Sequence, residues 1–293
     1  MTIRDNLLML LELVRIRNAL IVFFGVIVSA TFILTCDLTD NAEVGNVIIA
    51  GIAASLITGA GNAINDYFDS EVDKINKPKK PIPSGRIAKP DVGMISIVLF
   101  LIGIGLSKSI NDYCLIIAIL NSMILILYAK YSKKALLISN LTISYLVASV
   151  FLFGVLATVD NPGEIMIGDD IRIVMIMSAC AFLMTFSREI IKDIEDIEGD
   201  KREYAITLPI RIGIENAKKS AIILAIGAIL LSFLPFFIHL RSFNLLSYGI
   251  LIVLADIIFL ISLTMHPSLG QRIMVFCMVL ALIAFFLGNL TSI

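Results

Sequence analysis

Tryptophan is absent from this 293-residue chain, and histidine occurs only twice. His239 and His266 fall near the ends of different apolar segments, on opposite sides, so they make no ligand pair. The four cysteines, Cys36, Cys114, Cys180 and Cys277, are far apart and lie in or near apolar stretches. No Cys-x-x-Cys pair exists, which excludes a paired-thiol metal or redox site and leaves small buried hydrophobes. Charge is scarce as well. Charged residues make up 16% of the chain, against about 25% in a soluble domain. Such a chain lacks the polar surface to face water on all sides, which excludes an ordinary cytosolic enzyme, a nucleic-acid binder and a disordered protein. The net charge of −1 points to no partner. The first 17 residues are charged and amphipathic, and no small-residue cleavage site follows a short apolar core, so no secretory signal is expected.

What is present is apolar: 58% of the residues are hydrophobic and the mean hydropathy is +0.96. A spanning helix needs about 20 mostly apolar residues. Nine segments qualify, near 19–34, 47–64, 92–106, 113–129, 137–157, 173–186, 217–240, 245–265 and 273–290. The expected fold is therefore all-α, a multi-pass bundle of about nine transmembrane helices in one domain over 1–293. Lysine and arginine check the count. Twenty of the 23 lie on alternate connecting segments, and only Lys108, Arg172 and Arg241 lie on the others. The positive-inside rule then puts the N-terminus in the cytoplasm and the C-terminus outside, in the cell membrane. Residues 3–14 read as an amphipathic helix in the interface, with Leu7, Leu8, Leu10, Leu11 and Val14 apolar. Tyr113, Tyr128, Tyr131 and Tyr248 are expected near the headgroup level.

The scarce acidic residues are not scattered. Asn65-Asp66-Tyr67-Phe68-Asp69-Ser70-Glu71-Val72-Asp73-Lys74 follows the second segment. Asp193-Ile194-Glu195-Asp196-Ile197-Glu198-Gly199-Asp200-Lys201 follows the sixth. Both contain Asp-x-x-Asp-x-x-x-Asp-Lys, 127 residues apart at each position, which suggests a duplicated half. On a helix, Asn62, Asn65, Asp66, Asp69 and Asp73 share an arc of about 100°. Glu189, Asp193, Asp196 and Asp200 share about 60°, if the helix persists past Gly199. Carboxylates on one face repel, more so near lipid where the dielectric is low. They persist where something positive sits between them. Oxygen ligands without His or Cys suit a hard cation, and Mg²⁺ usually binds one or two carboxylates plus substrate phosphates. Acidic capping of membrane helices is the plainer reading, and it would suffice for a single Asp.

The first motif leads into Lys77-Pro78-Lys79-Lys80-Pro81-Ile82-Pro83-Ser84-Gly85-Arg86, where the prolines forbid a helix. Phosphate contacts would account for these cations, and so would positive-inside topology. Lys133, Lys134, Lys201 and Arg202 are open to the same two readings. Arg86, in a Pro/Gly-shaped turn, favours a functional role.

These residues together resemble the signatures of the UbiA superfamily of intramembrane prenyltransferases, and the helix count is similar over nearly the whole chain. The resemblance implies Mg²⁺-dependent transfer of a prenyl group from a prenyl diphosphate, inside a bundle that opens to lipid. It implies that Asn65, Asp66, Asp69, Asp73, Asp193, Asp196 and Asp200 are catalytic, the six aspartates holding Mg²⁺. Asn62, Lys77, Lys80, Arg86, Lys133, Glu189 and Lys201 are the expected substrate contacts. Two stretches are similar to the archaeal ether-lipid branch of the family: 64–85, and 188–201 with Thr207-Leu208-Pro209. That branch implies geranylgeranyl transfer to the hydroxyl of geranylgeranylglyceryl phosphate. An aromatic quinone or haem precursor is the alternative acceptor. From another class, a cation-coupled transporter would also place acids in helices, although its sites usually lie near the midplane. A CDP-alcohol phosphotransferase would need a longer single motif that is absent. Asp256, in the middle of the eighth segment, is outside both motifs. Asn140, Ser144 and Tyr145 either line a cavity or bond between helices.

If the stripes carry the chemistry, Asp66→Ala or Asp69→Ala abolishes turnover while the protein still inserts into the membrane. Wild-type rates from such purified variants would remove this assignment.

Overall fold

The computed structural model of the protein describes residues 3–33, 41–131, 137–159, 169–202, 205–238 and 243–290. Lys133, Lys134, Cys36, His239 and Arg241 lie outside the described residues. The described elements are thirteen α-helices and a short 3-10 turn at Leu234–Phe236, with no strand among the described residues. In lipid there is no water to satisfy backbone N–H and C=O groups, so an apolar chain of this kind bonds to itself within helices.

The nine apolar helices are α2 (Ile16–Thr31), α3 (Asn41–Phe68), α5 (Lys89–Ile110), α6 (Asp112–Tyr131), α7 (Ile138–Leu156), α8 (Asp169–Glu195), α11 (Ile214–Ser232), α12 (Leu245–Ser262) and α13 (Pro267–Asn289). They fall on the nine expected segments. Eight are long and apolar enough to cross a membrane, and α2 is shorter at 16 residues. It rises about 24 Å, less than the ~30 Å hydrocarbon core. The remaining helices are α1 (Ile3–Leu13), α4 (Ser70–Asn76), α9 (Ile197–Arg202) and α10 (Leu208–Ile212). All four attach to the end of the bundle that carries the two acidic motifs. Local chemistry sets several starts. Prolines stand in the first turn of α5, α10 and α13, where a missing N–H costs nothing. The Asn244 side chain accepts from the amides of Leu246 and Ser247, both at 3.1 Å, and caps α12.

Small residues bring neighbouring helices close, as expected where apolar burial gives no advantage over lipid. On α11, Ala217, Ala221, Ala225 and Ala228 are fully buried, and the face packs on α8. There Ser187 Oγ donates to the Ala221 carbonyl at 2.8 Å. The same device joins α3 to α5, where Ser96 Oγ donates to the Ala60 carbonyl at 2.9 Å. The last helix returns to the first: Asn289 Nδ2 donates to the Thr31 carbonyl at 2.8 Å, closing α13 onto α2. Large apolar side chains such as Leu101, Ile223 and Leu230 point outward and are exposed, in the manner of a lipid-facing surface.

One expectation is corrected. Tyr248 does not turn its ring outward as an interfacial anchor would; it is fully buried. Its ring packs between Phe243 and Phe285, both with centroids 5.0 Å away. Its hydroxyl donates to the Ser232 carbonyl at 2.6 Å, so a partner inside the protein replaces the interface. The amphipathic α1 also buries part of itself: Leu13 is fully buried with Ala63 and Val92, while Leu7 and Leu8 remain exposed.

Among the described glycines, the tightest surroundings are at Gly154 on α7. A Cβ there would lie 2.1 Å from Ser29 Oγ and 2.4 Å from the Val26 carbonyl oxygen of α2. Backbone cannot yield as a side chain can. Gly154→Val is therefore expected to lower the thermal unfolding midpoint in detergent, at a cost of roughly 1–3 kcal/mol or more. Gly105→Ala meets nothing within 4 Å and should be neutral in the same measurement.

Candidate active site

A helix C-terminus already carries partial negative charge, so carboxylates placed there need cations. At the end of α3 these are supplied from two directions. Asp66 is buried, and its Oδ1 accepts from Arg15 Nη2 at 3.2 Å and from Lys80 Nζ at 2.9 Å. The same Lys80 Nζ lies 2.6 Å from Asp73 Oδ2. Lys80 reaches inward because the proline loop folds as successive turns. Its amide bonds the Lys77 carbonyl at 3.0 Å, its own carbonyl accepts from the Ser84 amide at 3.0 Å, and Gly85 takes a φ of +72°. Arg15 reaches inward because it adopts φ 52° between α1 and α2, a left-handed conformation unusual for a non-glycine residue.

The predicted stripe survives a break in the helix. Asp69 separates α3 from α4, yet its amide bonds the Asn65 carbonyl at 3.0 Å and its carbonyl accepts from the Asp73 amide at 2.8 Å. Asn65 Nδ2 donates to Asp69 Oδ2 at 2.9 Å, and the buried Asn65 Oδ1 has no partner.

The second motif closes α8. Asp193 Oδ2 accepts from Asn140 Nδ2 of α7 at 2.8 Å. Glu189 is buried between Arg188 and Lys192, the latter at 3.3 Å. The helix breaks at Asp196, which is exposed, and Asp200 bonds back to it through its amide at 2.9 Å. Both motifs face one mouth. Asn62, one turn before Asp66 on α3, and Arg188, just before Glu189 on α8, line the same cavity.

Other expected contacts are placed differently. Arg86 forks onto Glu12 at 2.7 and 3.0 Å and also donates to the Lys79 carbonyl. Glu12 holds the Arg86 proton more tightly than usual. The guanidinium thus ties the proline loop to α1. Lys77 and Lys201 are exposed. Asn62 donates to the Val14 carbonyl at 3.1 Å and lines the cavity described below. Arg15, Arg188, Lys192 and Asn140 join the site although neither acidic motif contains an expected contact at these positions. Only Arg188 and Lys192 carried a signal, being cations within one turn of Glu189.

Carboxylate and amide oxygens suit a hard cation, and Asp66, Asp69, Asp73 and the unpaired Asn65 Oδ1 supply them. Among the described residues no three His, Cys, Asp or Glu side chains form a ready metal cage. Mg²⁺ usually binds one or two carboxylates and completes its shell with water and substrate phosphate.

Beneath the mouth lies a cavity of about 330 Å³, walled by α2, α3, α6, α7, α8 and α13. Its lining is mostly apolar, with Phe151, Phe153 and Phe285 far from the acids, and Asn18, Asn62 and Arg188 towards them.

The model of the UbiA prenyltransferase family matches residues 23–289. The digeranylgeranylglyceryl phosphate synthase of Methanosarcina mazei is 39% identical over 291 residues, covering 95% of this chain and 97% of that protein. The enzyme of the same name from Methanococcus maripaludis is 38% identical over 287 residues, with 95% and 97% covered. A solved structure of digeranylgeranylglyceryl phosphate synthase in membranes superposes with a TM-score of 0.73 at 34% identity, over 97% of this chain and 99% of that one. A UbiA homologue from Archaeoglobus fulgidus, bound to GPP and Mg²⁺, has a TM-score of 0.69 at 18% identity, over 95% and 98%. This last likeness is one of fold.

Asn140 orients an Asp193 oxygen as an outer hydrogen-bond partner would. Asn140→Leu is expected to reduce turnover and divalent-cation affinity by roughly 10- to 100-fold, read by kinetics and metal titration, with the protein still folded.

Proposed function

The chain belongs to the UbiA prenyltransferase family, and on that premise we propose which residues serve the transfer and how. It is an integral membrane prenyltransferase. The reaction is transfer of a geranylgeranyl group from geranylgeranyl diphosphate to the free hydroxyl of geranylgeranylglyceryl phosphate, a step of archaeal ether-lipid synthesis. The observation that carries this reading is the convergence of two acidic helix ends on the mouth of one apolar cavity. A diphosphate fits the mouth and a long hydrocarbon fits the interior.

Asp66, Asp69 and Asp73, with Asn65, are the residues that would hold Mg²⁺ on one side, and Asp193, Asp196 and Asp200 on the other. Bound there, Mg²⁺ supplies positive charge against the diphosphate oxygens. Lys80 and Arg15 already direct positive charge at Asp66, and they are placed to stabilise the charge that grows on the leaving group. The allylic C–O bond breaks and the diphosphate departs with the electron pair. The acceptor oxygen then donates a pair to the carbon, forms the ether and releases its proton. The apolar walls hold the tail and keep water from the electron-poor carbon. The lysine and arginine distribution supports a cytoplasmic side of the cell membrane for this mouth and the N-terminus.

Purified protein given geranylgeranyl diphosphate is expected to release diphosphate with geranylgeranylglyceryl phosphate. It should not do so with an aromatic acid acceptor, and a chelator should stop it. Release with the aromatic acceptor alone would overturn the acceptor assignment.

A further inference from the structure

Arg188 is the one charged side chain among the described residues that line the cavity. Thr185 lines the same wall, three residues earlier on α8, on the same face and about 4.5 Å deeper along the axis. It is 2% exposed, and its Oγ1 has no hydrogen-bond partner. Asn121 of α6 lines the cavity too. Its Nδ2 donates to Ser149 Oγ at 2.9 Å, while its buried Oδ1 has no partner. Buried polar atoms left unpaired are costly and are normally satisfied. Here two of them belong to residues that line one cavity.

Their chemistry is complementary. A threonine hydroxyl has a proton to donate, and an amide oxygen can only accept. A ligand hydroxyl answers both, accepting from Thr185 Oγ1 and donating to Asn121 Oδ1. Arg188, one turn nearer the mouth, presents the donors a phosphate needs. Glu189 is flanked by two cations, Arg188 and Lys192, so the group keeps a net positive charge. A phosphate ester and a free secondary hydroxyl on neighbouring carbons form the head of a glycerol phosphate.

We propose that Asn121, Thr185 and Arg188 form the acceptor subsite, Arg188 taking the phosphate and the other two the hydroxyl. This rests on the prenyl-transfer reading and adds residues to it that neither acidic motif contains. The hydrogen bond to Asn121 fixes the direction of the O–H bond and so turns an oxygen lone pair towards the cavity axis. Asn121 binds the proton's side without removing it.

The test is equilibrium binding, without turnover, of geranylgeranylglyceryl phosphate and of its analogue with hydrogen in place of the free hydroxyl. Wild-type protein is expected to bind the analogue about tenfold more weakly or worse, since the analogue leaves both buried atoms unpaired. In the Thr185→Val, Asn121→Leu double variant the ratio should fall to near one. Thr185→Ser keeps the hydroxyl and should keep the ratio, which separates the subsite from a packing role. Arg188→Met should weaken both ligands by the same factor. A ratio near one in the wild type, or one unaltered in the double variant, overturns the subsite while normal turnover leaves the prenyl-transfer reading intact. Absence of both binding and turnover with the glyceryl ether in the wild type would overturn the acceptor assignment beneath it.

Discussion

Carboxylates at the negative ends of membrane helices must be neutralised by cations brought from elsewhere in the chain. The mouth of this bundle is organised around that requirement. Asp66 is buried at the end of α3, where solvent cannot screen it, and Arg15 and Lys80 meet it there. Meeting it imposes shape on both donors. Arg15 takes a left-handed backbone, which breaks α1 from α2 and lets α1 lie across the end of the bundle. Lys80 arrives on a loop whose prolines exclude a helix, and Arg86 staples that loop to Glu12 of α1. On the opposite wall Glu189 draws Arg188 and Lys192 to itself in the same way.

The apolar part of the bundle divides its tasks. Alanine faces and serine-to-carbonyl hydrogen bonds bring α8 against α11 and α3 against α5. The inner faces of α2, α3, α6, α7, α8 and α13 stay apart around the cavity. Close contacts at the periphery thus coexist with space at the centre. Fixed dipoles and charges at the mouth act strongly because the neighbouring medium is of low dielectric. The same medium makes each unpaired polar atom in the wall expensive, which is why Thr185 and Asn121 are informative.

Much of this was legible in the chain. The nine apolar runs, the alternating cations and the two spaced aspartate motifs follow from local composition and from the 100° step of a helix. The Asp66–Asp73 stripe persisted through the break at Asp69, because the i→i−4 hydrogen bonds continue across it. Other features were not legible. Nothing local distinguishes Arg15 from Arg17, yet only Arg15 reaches Asp66, 51 residues away. Arg86 is visible in sequence as a cation in a shaped turn, whereas its partner Glu12 is 74 residues away. Tyr248 looked interfacial from its place near a helix end, and the aromatic packing around it is a matter of α12 against α13.

The sequence by itself determined that the protein is a helical bundle for a membrane, where its helices run, and that acids gather at one end. Short-range rules suffice for these, since helix formation in lipid is satisfied within each segment. Only the tertiary structure decided which cation meets which carboxylate, and that the two motifs face a shared mouth. It also decided that Thr185 and Asn121 border the same space. Those are relations between distant segments, set by helix rotation and by the depth at which small residues allow backbones to approach. Neither quantity is written in the spacing of any one helix.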